Sequence, residues 1–272
     1  MATPIEQTNM KIIICLCILL ITSTAFSDNS FLKNKTVTGC ENEEGYPPFI
    51  YRDTESDQLE GYSVDLLNQV FKDSGATVKY SLLPWKRCLK YMGKGKIMDL
   101  VLAAASTEER RKQYLFSDAF SEVHLAYFYD RKKYYNGLSI ETPNDLDKLA
   151  TVCGMRGFVY GSYGLTSKVW QQADDFQQLI TLVAKDRCDA LLIRYEVFKS
   201  LTKANPDIKY YDRMKGGIIP WRKDNPIKFY FMAAKNSAYH KQLIDFINKR
   251  MKQISGSGDF KKIKEKYGFM VD

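Results

Sequence analysis

Arg110 stands three residues after Thr107 in the run TEERRKQYLFSDAF, and that spacing is the chain's clearest chemical signal. Thr107 is a natural N-cap, so the helix that Glu108 and Glu109 begin carries a guanidinium in its first turn. The positive end of a helix macrodipole disfavours a cation there by about 0.3–1 kcal/mol, so helix stability gives no reason for the residue. A carboxylate held by the guanidinium fork and by helix-end N–H groups would give one. Residues suited to catalysis are sparse by comparison. The two histidines, His124 and His240, have no convincing serine or cysteine partner, and no CxxC or HxxxH spacing suggests zinc. The stretch Gly93-Lys94-Gly95-Lys96 lacks full phosphate-loop spacing and ends a helix. No cofactor is expected.

The elements that must position Arg110 start after a leader. Lys11 precedes an apolar run from Ile12 to Ile21, and small residues then lead to Ser27, the layout of a secretory signal over 1–27. The run is shorter than the roughly 20 apolar residues a bilayer span requires. Glu6 without a base before Met10 suits a signal poorly, which makes Met10 an alternative start. Cys15 and Cys17 lie too deep in the run for a lipid-attachment box. The remaining chain, about 245 residues, suits two lobes rather than one core. The net charge of +8 is spread over helix faces and not clustered with aromatics, so nucleic acid is not the expected partner, although the field favours an anionic solute.

Four cysteines remain after cleavage, an even number in an exported chain, and four cysteines allow three pairings. Cys40 ends a strand and Cys88 lies early in the helix after the next one; Cys153 and Cys188 flank a later strand pair in the same way. The expected bridges are Cys40 to Cys88 and Cys153 to Cys188, one per lobe.

Residues 36–41 read as a strand, Val64, Leu67, Val70 and Phe71 as one helical face closed by Gly75, and Val78, Tyr80 and Leu82 as a second strand. A short helix over 86–92 and an apolar strand over 98–105 complete a βαβαβ unit with a parallel sheet. A second unit starts near 138, with strands at 151–155 and 189–193 and helices from Phe176 and through Lys203. Extended runs at 124–130 and 228–235 read as crossings between the units, and amphipathic helices carrying Leu243, Ile247, Met251 and Ile254, then 259–267, return to the first.

Several segments in order, YPPF (46–49), GYSVDLL (61–67), TEER with FSDAF (107–120), GMRG (154–157), RCDALL (187–192) and GDFKKIKEKYG (258–268), make the chain resemble the family 3 extracellular solute-binding proteins. The resemblance covers nearly the whole mature chain. It implies a type II periplasmic binding protein fold of the α/β class: two α/β lobes joined by two hinge strands, with lobe one over 28–129 plus 228–272 and lobe two over 130–227. By the same resemblance, Arg110 meets a ligand carboxylate, backbone around Ala103 and Ala105 donates to it, Tyr46 and Phe49 pack the solute, and Glu43 faces its side chain. Trp85 and Arg87 lie where the sheet's carboxyl edge meets the cleft, one as a platform and one as an anion contact. Gly157, Phe158 and Val159 form the facing turn.

The departures are informative. Ala105 and Val159 replace hydroxyl residues that the family often uses, and Arg194 replaces an aspartate usually held against an α-ammonium group. Either the solute is an acid without such an amine, clamped by Arg110 and Arg194, or Arg194 pairs with Glu196 and points away, or the register is shifted by a residue or two. The expected protein is a monomeric, periplasmic receptor for a small anionic or zwitterionic solute, working with an ABC permease of the inner membrane. A dehydratase-like enzyme on the same fold, distinguished by turnover of prephenate or arogenate, and a receptor feeding a membrane sensor are the alternatives.

Overall fold

The computed structural model describes residues 30–94, 97–256 and 258–269; the leader expected over 1–27 lies outside them. The first unit runs β1 (Thr36–Glu41), a short hairpin of β2 (Tyr51–Arg52) and β3 (Leu59–Glu60), α1 (Tyr62–Phe71), β4 (Thr77–Leu82), α2 (Trp85–Gly93), β5 (Leu100–Ala105), α3 (Glu108–Gln113), β6 (Tyr114–Phe116) and β7 (Ser121–Val123). The second runs β8 (Leu125–Asp130), α4 (Pro143–Asp147), β9 (Val152–Met155), β10 (Trp170–Ala173), α5 (Phe176–Ala184), β11 (Ala190–Arg194), α6 (Tyr195–Ala204) and β12 (Met214–Ile218). β13 (Ile227–Ala234), α7 (Ala238–Ser255) and α8 (Asp259–Lys266) close the chain.

These strands make two sheets. The first has the order β4-β1-β5-β13-β6, with β7 also paired to β13, and β1 runs parallel to both β4 and β5. The second has the order β10-β9-β11-β8-β12. Helices cover both faces of β5, so Leu100 through Ala104 are all buried and no polar alternation is needed. The final helices dock on the first unit: Arg250 Nε donates to the Val70 carbonyl at 3.0 Å, and Lys266 pairs with Asp65 at 2.7 Å.

The strand over 125–130 belongs to the second sheet, where it pairs antiparallel with β11 and β12. The change of sheet therefore falls at His124, earlier than the boundary expected after 129. Packing explains the shift, because the Phe128 ring stacks on Phe198 of α6 with centroids 3.6 Å apart and so anchors the strand in the second unit. The chain returns between Ile218 and Ile227. At the first crossing, Glu196 Oε2 accepts from the His124 backbone N–H at 2.9 Å and Oε1 lies 2.7 Å from its Nδ1, tying α6 to the crossing.

Both disulfides join the expected cysteines. Cys40 and Cys88 have Cα atoms 5.7 Å apart, and Cys153 and Cys188 5.9 Å, within the ordinary range for bridged pairs. Each staples a strand to a neighbouring segment of the same unit.

Candidate functional site

The carboxyl ends of β1, β5 and β11 converge on a cavity between the two units, of about 380 Å³ including its mouth. Its first-unit wall is Glu41, Tyr46, Trp85, Ala103, Ala105 and Arg110, with Phe229 of β13 beside them. Phe158, Val159 and Arg194 face them from the second unit.

Local structure fixes each of these. Thr107 caps α3, its hydroxyl oxygen accepting from the Arg110 backbone N–H at 3.2 Å. The Arg110 guanidinium then folds back over the end of β5, donates to the Ala105 carbonyl at 2.9 Å, and lies 5.5 Å from the Trp85 ring centroid. The Tyr46-to-Ile50 loop is held against the start of α1, where Tyr62 N–H donates to the Pro48 carbonyl at 2.8 Å and Ser63 N–H to that of Phe49 at 2.9 Å. Gly61 makes this approach possible: at φ 138° a Cβ would overlap the Phe49 carbonyl. Tyr46 is thereby pressed across the cleft, its ring 5.8 Å from Phe158 and 6.2 Å from Phe176 of the second unit.

Arg194 ends β11 and is only 8 % exposed. Its Nη2 donates to the Val159 carbonyl at 3.3 Å, and its guanidinium lies 5.9 Å from the Tyr163 ring. Its Nε finds no acceptor among the described residues. Glu196, a possible partner from sequence, is bonded to His124 instead. Among the described residues no carboxylate lies within 4.0 Å of either Arg110 or Arg194.

The acid of the cavity is Glu41 and not Glu43. Glu41 is the last residue of β1, and its oxygens accept from Asn42 N–H and Ala103 N–H, both at 3.0 Å. Burial pushes its carboxyl up to about 8, overcoming those two donors and the nearby Arg110. Burial likewise lowers the pKa of Arg110, opposed by Glu41. Glu43 instead sits exposed in the turn closed by Gly45 N–H on the Asn42 carbonyl, in an outer recess with Lys86, Arg156 and Asp174.

Four further expectations are corrected. Phe49 is fully buried in the hydrophobic core, where its ring meets Phe229 and Phe269, because the Tyr46 loop turns it inward. Arg87 lies on the solvent face of α2, two residues past the buried Trp85. Ala103 N–H is taken by Glu41, so that backbone donor is not presented to the cavity. Gly157 stands outside the cavity lining; its N–H donates to Gln171 Oε1 at 3.1 Å, and its positive φ turns the chain beside Trp85 and Lys86. Glu41 and Phe229 were missed by sequence. The end of a strand that points at the cleft was the available signal for Glu41; a hinge-strand aromatic such as Phe229 gave none.

Two curated relatives extend over most of the chain. The arginine-binding extracellular protein ArtP of Bacillus subtilis is 27% identical over 95% of this chain and 96% of its own. The L-cystine-binding protein TcyA of the same organism is 24% identical over 87% and 82%. In fold, a substrate-binding protein of an ABC uptake transporter from Streptococcus pneumoniae, solved with bound histidine, superposes with a TM-score of 0.71 at 20% identity, over 89% of this chain and 96% of that one. The family description for bacterial extracellular solute-binding proteins, family 3, matches residues 40–270, which include both sheets apart from the start of β1, and every residue of the cavity. With that match across two lobes and an intervening cleft, the chain belongs to the bacterial extracellular solute-binding proteins of family 3.

Proposed function

We propose that the protein captures a small carboxylate-bearing solute between its lobes and delivers it, outside the cytoplasm, to an ABC permease. The single observation that carries this reading is Arg110, a mostly buried guanidinium facing an interlobe cavity, which forms no ion pair among the described residues because the neighbouring Glu41 carboxyl is engaged by backbone N–H groups instead. Leaving such a cation unpaired is costly, and a carboxylate from outside completes its hydrogen bonds in a site where water competes poorly. Tyr46, Trp85, Phe158 and Phe229 supply apolar walls for the body of the solute. Because Arg110 belongs to one lobe and Val159 and Arg194 to the other, a solute touching both stabilises the shut arrangement by its differential contacts. The two disulfides suit an oxidising compartment such as the periplasm. Amino acids and related organic acids are the solute class suggested by relatives named for arginine and cystine.

Binding, not turnover, is the proposed activity. The one acid in the cavity, Glu41, has each oxygen engaged by a backbone N–H, which leaves it poorly placed to shuttle a proton. A thermal-shift panel of amino acids and organic acids tests the reading. At least one carboxylate should raise the melting temperature of the wild-type protein and leave Arg110→Ala unmoved; an equal response in both proteins would remove the basis of the proposal.

A further inference from the structure

The cavity holds a second guanidinium that the capture of one carboxylate does not use. Arg194 is more than nine-tenths buried, lines the cavity from the second lobe, and keeps an Nε without an acceptor among the described residues. A buried polar donor left unpaired costs on the order of 1–3 kcal/mol, and more when charged, so its position asks for a ligand group. The ten-residue helix α6 begins immediately after it without a side-chain cap, adding the positive end of a helix dipole on the same side. A cationic group at that spot would meet both the guanidinium and the helix end.

We propose that Arg194 forms a second anion subsite, so that the solute is a small organic dianion with an acidic group at each end and no α-ammonium group beside Arg194. The proposal rests on the carboxylate-capture reading and specifies its ligand. Arg110 takes one acidic group on the first lobe and Arg194 the other on the second, so the ligand's two charges bridge the cleft. Glu41 adds little opposing charge at neutral pH, because its buried carboxyl holds a proton there. Tyr46, Trp85, Phe158 and Phe229 line the same cavity and offer apolar surface to the linker between the two ends. Closure is then driven by both guanidinia being satisfied at once, and a solute with one acidic group leaves one of them bare. An amino acid with a free ammonium group placed at Arg194 is rejected by like charge.

Isothermal titration with matched solutes tests this: glutarate as the dianion, pentanoate as its one-carboxylate counterpart, and glutamate as the same skeleton with an ammonium group. Adipate and a terminal phosphonate analogue of glutarate extend the series in length and in acid type. Glutarate or one of its two extensions should bind at least about 30-fold more tightly than pentanoate and glutamate, and Arg194→Met should abolish that margin. Arg194→Asp should reverse the order so that glutamate exceeds glutarate. Circular dichroism and the ligand-free melting temperature establish that each variant is folded; if neither is, the wild-type order of affinities alone decides. Glutamate or pentanoate binding as tightly as the dianions overturns the proposal while leaving carboxylate capture intact, as does a folded Arg194→Met that keeps the margin. No binding of any carboxylate in the series or in the wider panel overturns both readings.

Discussion

Replacing Glu41 by Gln gives a measurable test of the electrostatics at the cavity's base. The buried Glu41 carboxyl is raised from an ordinary value of 4.5 to about 8, with burial as the first cause. The unfolded chain therefore gives up this proton near its ordinary pKa while the folded chain keeps it. Stability from this group is fully present below 4.5 and falls by about 1.4 kcal/mol per pH unit until the folded value is passed. Integrated over the interval, the loss is on the order of 5 kcal/mol. Glutamine does not titrate, but its amide has one acceptor where the carboxyl has two. It must turn its NH2 toward either Asn42 N–H or Ala103 N–H, at a pH-independent cost of about 1–3 kcal/mol. Urea unfolding of both proteins at a series of values between about pH 5 and pH 8 isolates the group, because every other titration is shared. The wild type should be the more stable at the acid end, and its advantage should shrink steadily and reverse near the alkaline end. A difference that stays constant with pH, or that grows as pH rises, would refute the assignment of a proton-holding Glu41.

Other consequences are open to direct measurement. Trp85→Ala removes the ring beneath Arg110 and should weaken carboxylate binding by about 0.5–2 kcal/mol, read by titration calorimetry, with little change in which solutes bind. The double change Cys153→Ala and Cys188→Ala opens a bridge between residues 35 positions apart and should lower unfolding free energy by about 2–4 kcal/mol in denaturant melts. Gly154→Ala places a methyl group against the buried Tyr160 ring, whose hydroxyl accepts from Met155 N–H at 2.6 Å; a loss of about 1–3 kcal/mol by thermal melting is expected, together with weaker solute binding.

Much of the architecture could be read from residue patterns because both units obey local rules. Alternation at Val78, Tyr80 and Leu82, the apolar run ending at Ala105 and the helical stripe of α1 each mark one element, and the structure has β4, β5 and α1 there. Cysteine positions relative to those elements suggested one of three pairings, and the structure has the two bridges of that pairing. Pairing across long sequence distance was harder to read. Nothing local in residues 125–130 says that this strand pairs with Leu191–Arg194 and Met214–Ile218, so the crossing was placed too late. The same limit applies at the cavity. Arg110 announced itself through the oddity of a cation in a first helical turn, whereas among three nearby acids only the exact end of β1 decides that Glu41 points inward and Glu43 outward. Phe49 follows a similar logic, since a loop tied to α1 through Gly61 dictates which of its aromatics faces the core.

A crystal structure of the protein with the solute it retains on native purification tests the central claim most directly. The account predicts an acidic group of that solute within about 3 Å of the Arg110 guanidinium, enclosed between the lobes with Trp85 and Phe158 against its body. A solute bound elsewhere, or held in the cleft through groups other than an acid with Arg110 left bare, would contradict it.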